Sequence, residues 1–247
     1  MAAQSRTRTI LLTRPKMQSL KFGRALQRHF DMPLSIIVSP LMEPDYFTPP
    51  IPDMDFYAAI FTSQTAVEAA KRISANGTVL PRRAFCVGSQ TAKAARLAGF
   101  EAISADSDAL GLVEMMKSAN PKAALLHLRG EISHGDVANL LNSAGIETYE
   151  AVVYRQAARP LNVDARAFLQ GTDPAFVPLF SPRTARIFSD EVKATGGIAP
   201  LRIAAISPAV AKEVVSLHPE VIETAASPDA KAMIAALEAL FATDGSP

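Results

Sequence analysis

The sequence predicts an α/β protein built from two similar halves with mostly parallel sheets. Three observations carry that prediction. Short apolar runs alternate with longer segments of helical period almost throughout the chain. The runs are continuously apolar, as in Ala58-Ala59-Ile60-Phe61 and Val177-Pro178-Leu179-Phe180, which suits strands buried on both faces. The pattern also repeats at fixed spacing. Phe61-Thr62-Ser63-Gln64-Thr65-Ala66 returns 119 positions later as Phe180-Ser181-Pro182-Arg183-Thr184-Ala185, and Cys86-Val87-Gly88-Ser89-Gln90-Thr91-Ala92 falls at the same offset on Ala205-Ile206-Ser207-Pro208-Ala209-Val210-Ala211. Leu11-Leu12-Thr13-Arg14-Pro15 and Leu126-His127-Leu128-Arg129-Gly130 stand 115 apart, an offset that also sets Leu26 on Leu141 and Ile37-Val38 on Val152-Val153.

Taken in order, the apolar runs predict strands at 9–13, 34–39, 58–61, 83–87, 101–103, 123–128, 147–153, 176–180, 201–206 and 220–223. Helices fit the intervals 17–29, 64–75, 90–98, 109–118, 134–144, 183–193, 208–216 and 229–241. In the last of these, Met233, Leu237 and Leu240 recur at a helical period with Ile234 beside them. The stretch from Pro44 to Pro52 is proline-rich and reads as a connector, outside the core. The repeat by itself suggests two tandem domains meeting near residue 120. A crossed layout, in which the first unit of one half packs with the second unit of the other, fits the spacing equally well. Either layout sets the paired strand-to-helix turns where two domains can face a ligand cleft.

Composition bounds the function. The chain has 247 residues, 49% apolar and 20% charged, enough for a substantial core and unlike a disordered chain. Its 25 Lys and Arg nearly balance 24 Asp and Glu, so no global field gathers nucleic acid, and no basic run is interleaved with aromatics. Cys86 is the only cysteine and lies in an apolar run, which excludes an intrachain disulfide and a thiolate cluster and predicts a buried side chain. The four histidines, His29, His127, His134 and His218, show no HxxxH or HExxH spacing, so no metal is expected. The Ile10-Leu11-Leu12 run is too short for a signal-peptide core or a membrane span, and the cytoplasm is the expected location. GxGxxG and Walker A motifs are absent, so nicotinamide and nucleotide-triphosphate enzymes lose their best sequence support, and the nucleophile motif GxSxG is absent as well.

Four strand ends lead into helices through small polar segments: Thr62-Ser63, Gly88-Ser89, Ser181-Pro182 and Ser207-Pro208. Free N–H groups at such turns stabilise carboxylate or phosphate oxygens. Serine or threonine before a helix is equally an ordinary N-cap, and proline at the first helical position needs no ligand. Arg14 and Arg129 stand at the two other corresponding turns, where guanidinium groups suit bidentate carboxylate recognition or a surface ion pair. Arg183 and Arg186 share a helix face, with Lys16 beside the first turn, so a local cationic surface is available. Tyr154 ends the run Glu150-Ala151-Val152-Val153-Tyr154. It can anchor a linker with its hydroxyl in water, or donate a proton or hydrogen bond to a departing group.

Together these segments resemble the uroporphyrinogen-III synthase family. The resemblance is carried by Leu12-Thr13-Arg14-Pro15, Ile60-Phe61-Thr62-Ser63, Val87 to Ala92, Leu125 to Gly130, Val152-Val153-Tyr154-Arg155, Phe180-Ser181-Pro182 and Ala204 to Ala211, in that order along nearly the whole chain. It implies the crossed layout: two similar three-layer α/β domains, residues 1–38 with 157–247 and residues 39–156, joined by a two-stranded connector around 35–42 and 149–158, with a cleft between domains that move relative to each other.

The resemblance further implies a cofactor-free hydro-lyase. It would cyclise hydroxymethylbilane, a linear tetrapyrrole with eight carboxylates, to uroporphyrinogen III with inversion of ring D and loss of water. Tyr154 matches the family tyrosine proposed to assist hydroxyl departure, and Thr91 a family threonine at the cleft. Arg14, Thr62, Ser63, Gln64, Ser89, Gln90, Arg129, Gly130, Ser181, Pro182, Arg183 and Ser207 are the expected substrate-binding residues. A monomer is implied, with no nucleic acid or membrane partner and a transient contact with the preceding pathway enzyme. Two departures stand out: Gln64 replaces a frequent proline, and Ser207-Pro208-Ala209-Val210 lacks two hydroxyls of the usual Gly-Pro-Thr-Thr turn. The latter leaves open a noncatalytic two-domain protein that binds a tetrapyrrole or other small ligand.

Overall fold

Buried strands and amphipathic helices alternate in the computed structural model, which describes residues 7–132 and 135–243. The chain forms two compact units. Unit 1 takes the described residues of Met1–Glu43 and Ala158–Pro247; unit 2 is Pro44–Ala157.

Unit 1 holds β1 (Arg8–Leu12), α1 (Lys16–His29) and β2 (Leu34–Val38). The rest of its chain supplies α6 (Val163–Leu169), β9 (Ala175–Leu179), α7 (Pro182–Thr195), β10 (Leu201–Ala205), α8 (Pro208–Lys212), β11 (Val221–Thr224) and α9 (Ala230–Ala242). Its sheet is wholly parallel, in the order β11-β10-β9-β1-β2. Alternate strand residues serve opposite faces. Leu11, Val177 and Ile203 pack with Leu169, Phe188 and Val210 from α6, α7 and α8. Ile10, Leu12 and Phe176 pack with Phe22 and Leu26 of α1 and with Met233, Leu237 and Leu240 of α9.

Unit 2 follows with β3 (Met42–Tyr46), β4 (Ala58–Phe61), α2 (Gln64–Ala75), β5 (Arg83–Cys86), α3 (Ser89–Leu97), β6 (Glu101–Ser104) and α4 (Ala109–Ala119). It closes with β7 (Leu125–Gly130), α5 (Val137–Ser143) and β8 (Thr148–Ala158). The sheet order is β3-β8-β7-β4-β5-β6. Helices α2 and α3 cover one face through small residues, Ala66, Ala69, Ala70, Ala92 and Ala95, which let the helix axes approach the strands. Leu112, Met116, Val137 and Leu141 of α4 and α5 cover the other. Both units are therefore three-layer α/β sandwiches.

Residues at the 119 and 115 offsets occupy equivalent places. β9, β10 and β11 stand to β1 and β2 as β4, β5 and β6 stand to β7 and β8, so one spatial order is threaded in two chain orders. Two of the letter matches slip. Ser63 and Ser181 cap α2 and α7, while Phe61 pairs with Cys86 and Leu179 with Ala205, so β4 matches β9 at an offset of 118. Likewise Leu12 pairs with Val38 and His127 with Glu150, which matches β2 to β8 at 112 and separates Ile37-Val38 from Val152-Val153.

Several elements differ from the sequence expectation. The first connector strand is β3, four residues beyond β2 and separated from it by Ser39-Pro40-Leu41. It runs antiparallel to β8: Arg159 N–H bonds to Leu41 O and Phe47 N–H to Val153 O. Pro44 is thus inside a strand, tolerated because β3 is the edge of its sheet. Helix α6 has no counterpart in the expected set. The helix expected at 208–216 stops at Lys212, and a 3-10 turn at Val215–Leu217 follows. The helix expected at 134–144 is α5, Val137–Ser143; His134 lies outside the described residues. Cys86 is fully buried, and burial pushes its thiol up to about 11. Among the described residues no helix is long and apolar enough to cross a membrane, and no group of three or more His, Cys, Asp and Glu could hold a metal.

Candidate functional site

In open parallel sheets the crevice for a ligand lies at the carboxyl ends of the strands, where connections depart to opposite sides. In unit 2 that point falls between β4 and β7. The chain leaving β4 is Thr62-Ser63, and Ser63 caps α2 by accepting the Ala66 N–H at 3.1 Å. β7 itself ends in Arg129-Gly130. Tyr154, on β8, reaches across Gly130 so that its hydroxyl shares a 3.0 Å hydrogen bond with Ser63 Oγ.

A β-bulge makes this reach possible. Arg129 pairs with Val152 but Gly130 pairs with Tyr154, leaving Val153 extra. Regular alternation would turn consecutive residues to opposite faces. Here Ala151, Val153 and Tyr154 all pack on the α2–α3 side, and Tyr154 is only 9% exposed. Its strand does not end there but continues to Ala158, so the phenol is held within the unit and is not a linker anchor with its hydroxyl in water. Gly130 completes the fit, because a Cβ there would lie 2.7 Å from Tyr154 Cζ.

Of the other expected residues in unit 2, Thr62 is half-buried and Gln64, Ser89 and Gln90 are exposed around the starts of α2 and α3. Gly88 caps α3 without a side chain, and Thr91 is buried on its first turn. Arg129 forms an ion pair within the unit, the second of the two roles its position allowed. It lies on the opposite face of β7 from Gly130 and is committed to protein partners. Nη1 donates to Gly130 O at 2.9 Å and Glu131 O at 3.2 Å, and Nη2 to Glu150 Oε2 at 3.3 Å. Nε is 2.7 Å from Glu150 Oε1 in an ion pair, though not aligned for a hydrogen bond.

Glu150 and His127 are the residues that sequence reasoning passed over. His127 is 1% exposed, with Nδ1 3.3 Å from Glu150 Oε1. Burial pulls its pKa down to about 4, against the opposing pull of Glu150, so the ring is neutral near pH 7. The available signal was the alternation His127-Leu128-Arg129, which sets two basic residues on one face of a buried strand.

In unit 1 the corresponding point lies between β1 and β9. Arg14 follows β1, its guanidinium carbon 4.1 Å above the Phe180 ring and its Nε bonded to Gln18 Oε1 at 3.1 Å. Burial holds its pKa below the ordinary arginine value. Ser181 caps α7 by accepting the Thr184 N–H and donates its own hydroxyl proton to Thr184 Oγ1, with Pro182 at the first helical position. Arg183 is exposed beside it. Arg186 is not an available cation: Glu213 takes both its Nε and Nη2, at 3.0 and 2.9 Å. Ser207 occupies the cap position of α8 but makes no side-chain cap bond. A groove of about 580 Å³ opens where β2 ends and α1 begins, with Lys16, Ser39, Arg159 and Arg166 among its walls. A second concavity of about 490 Å³ sits at the amino end of β10, away from these turns.

The molecule is thus a duplicated α/β protein with a polar site at the strand ends of each unit. The family model described as uroporphyrinogen-III synthase HemD matches residues 33–235, and the chain belongs to that family. Among solved structures it is similar to uroporphyrinogen-III synthetase from Helicobacter pylori 26695, at 19% identity, covering 95% of this chain and 100% of that one with a TM-score of 0.54. It is also similar to a mutant uroporphyrinogen III synthase from the extremely thermophilic bacterium Thermus thermophilus, at 12% identity, covering 96% and 100% with a TM-score of 0.45. The first likeness supports the fold. The comparison with curated proteins returned no match.

Proposed function

We propose that the chain is a uroporphyrinogen-III synthase, a hydro-lyase that cyclises hydroxymethylbilane with inversion of ring D, and that Tyr154 assists loss of the terminal hydroxyl. The observation that carries this reading is the 3.0 Å pair between Tyr154 Oη and Ser63 Oγ at the carboxyl end of β4. When Ser63 donates to the phenol oxygen, the phenol proton is left for an incoming group. A phenol O–H in that position can hydrogen-bond to the departing oxygen and give it a proton. The C–O bond breaks and water leaves with that proton. The resulting azafulvene-like cation is attacked by the substituted α-carbon of ring D to give a spiro intermediate. Fragmentation and reclosure give the type III ring, and the α-proton lost at that step balances the proton given by the phenol, returning to the phenolate directly or through solvent.

The uncatalysed chain closes to the type I isomer, so catalysis here is largely orientation, drawn from binding remote from the bond change. In unit 2 the free N–H groups at the starts of α2 and α3, and in unit 1 those at the start of α7 with Arg14, each suit carboxylates of the kind the substrate carries. No step needs a metal or an organic cofactor. We read the protein as a monomer acting in the cytoplasm, where its one buried thiol and lack of an intrachain disulfide fit.

A second reading, binding without turnover, is favoured by one observation. The α8 turn offers only Ser207 where two further hydroxyls are usual, and Val210 is fully buried. The deciding experiment supplies hydroxymethylbilane and resolves the oxidised products by isomer. Enrichment of type III over the protein-free control, reduced about tenfold or more in Tyr154→Phe, is the expected result. A type I product from folded protein makes the binding reading the better one.

A further inference from the structure

The two repeat-related arginines can be compared within one molecule. Arg14 lies just past the end of β1 and Arg129 is the penultimate residue of β7, each at the centre of a switch point, but what lies beneath them differs. Under Arg14 the paired residues are Leu12 and Val38, both apolar. Under Arg129 the equivalent pair is His127 and Glu150, a buried imidazole and a carboxylate. The Arg14 guanidinium meets neutral groups, the Gln18 amide and the Phe180 ring. Arg129 meets a carboxylate and two carbonyls. A substrate carboxylate arriving at Arg129 would have to displace Glu150 from it, with a desolvation cost at a side chain that is only 22% exposed.

The two carbonyls that Arg129 grips belong to the segment that sets Tyr154. Gly130 pairs with Tyr154 across the bulge and leaves room for its ring. Glu131 donates its N–H to Tyr154 O at 2.8 Å. A guanidinium spanning the Gly130 and Glu131 carbonyls therefore fixes both peptide groups against which the tyrosine is placed, and Glu150 fixes the guanidinium. The hydroxyl is held from the other side by Ser63. In the equivalent part of unit 1, Leu41 N–H bonds to Thr13 O after Ser39 N–H has bonded to Leu12 O, a similar irregularity, and the residue that follows it is the apolar Leu41. Unit 1 has no phenol to place and no carboxylate under its arginine.

We propose that Arg129, anchored by Glu150, is a positioning residue for Tyr154 and not a receptor for substrate carboxylates. The proposal rests on the reading of Tyr154 as the group that assists hydroxyl loss.

The test compares Arg129→Gln, Glu150→Gln and Arg129→Lys with the native chain by two readouts. The first is the rate of type III formation, resolved into kcat and KM. The second is the NMR signal of tyrosine labelled at Cζ with carbon-13 in the ligand-free protein, with the Tyr154 resonance assigned by its loss in Tyr154→Phe. Positioning predicts kcat lowered by about tenfold in Arg129→Gln and Glu150→Gln, with KM within about twofold and the Tyr154 resonance displaced in both. Arg129→Lys, which keeps the charge but lacks the fork, should resemble the Gln variant and remains usable if charge removal unfolds the protein. A KM raised about tenfold at unchanged kcat in Arg129→Gln, a KM lowered by Glu150→Gln, or an unmoved Tyr154 resonance would overturn the proposal. If the native protein forms no type III product, the reading of the site fails, and the resonance alone still decides whether Arg129 places the ring.

Discussion

The Tyr154 ring fills the space in which any side chain at Gly130 would begin, with its Cζ and hydroxyl oxygen 2.7 and 2.9 Å from where a Cβ would stand. Alanine at 130 must therefore push the phenol away from Ser63 or open the β7–β8 bulge. Gly130→Ala is expected to destabilise the protein by about 1–3 kcal/mol, as overpacking does. The penalty should largely vanish in a Tyr154→Ala background, where the space is free. Urea denaturation of both singles and the double variant measures the coupling, and additive losses would show that the contact is not the cause.

Ser63 has two roles that separate by substitution. It caps α2 and it bonds the Tyr154 hydroxyl. Ser63→Ala should cost about 1 kcal/mol of stability, whereas Ser63→Gly, a tolerable cap, should cost a few tenths. Both remove the hydroxyl, so both should lower the rate of type III formation alike. Melting temperatures that differ while kcat values agree is the expected pattern.

His127 makes the stability of the protein depend on pH. Its folded pKa is lowered from 6.5 to about 4, chiefly by burial. Between those values the unfolded chain binds more protons than the folded one, so the stability it contributes is intact above about pH 6.5 and declines as pH falls toward 4. The effect amounts to about 3 kcal/mol at its limit. His127→Leu, which installs the residue found at the equivalent Leu12, should flatten the profile in that window. Urea midpoints at about pH 5 and pH 7 compare the two proteins.

Cys86 is fully buried, and desolvation raises its pKa to about 11. Its thiol should therefore react with an aromatic disulfide reagent at neutral pH only through unfolding. The labelling rate should track global stability across destabilised variants such as Gly130→Ala. Fast labelling of the native fold would place Cys86 in a locally opening segment.

Most of the fold was legible because parallel strands buried on both faces write themselves as apolar runs, as Ala58–Phe61 and Ala175–Leu179 do. β3 was hidden because an edge strand needs no such run, and Met42-Glu43-Pro44-Asp45-Tyr46 has none. Helix α6 was hidden by its shortness, with only Ala165 and Leu169 buried. The caps at Ser63 and Ser181 were legible as motifs. The bond between Ser63 and Tyr154 was not, since it joins residues 91 apart through a bulge that leaves no mark in composition. The commitment of Arg129 was equally hidden, because Glu150 lies in another strand and only the β7–β8 register brings them together.

The two chain crossings also set a timetable for synthesis. Strands β1 and β2 are made first, yet β1 awaits its other neighbour, since Thr9 and Ile10 pair with Ala175 and Phe176. Meanwhile Pro44–Ala157 is contiguous and has every strand of its sheet once β8 has emerged. The middle of the polypeptide can thus fold on the ribosome while the beginning still lacks its partners, with Ile10, Leu12 and Leu26 uncovered. A nascent chain whose β8 has left the ribosome but whose β9 has not should therefore present a finished second unit together with strands β1 and β2 whose apolar faces are still uncovered.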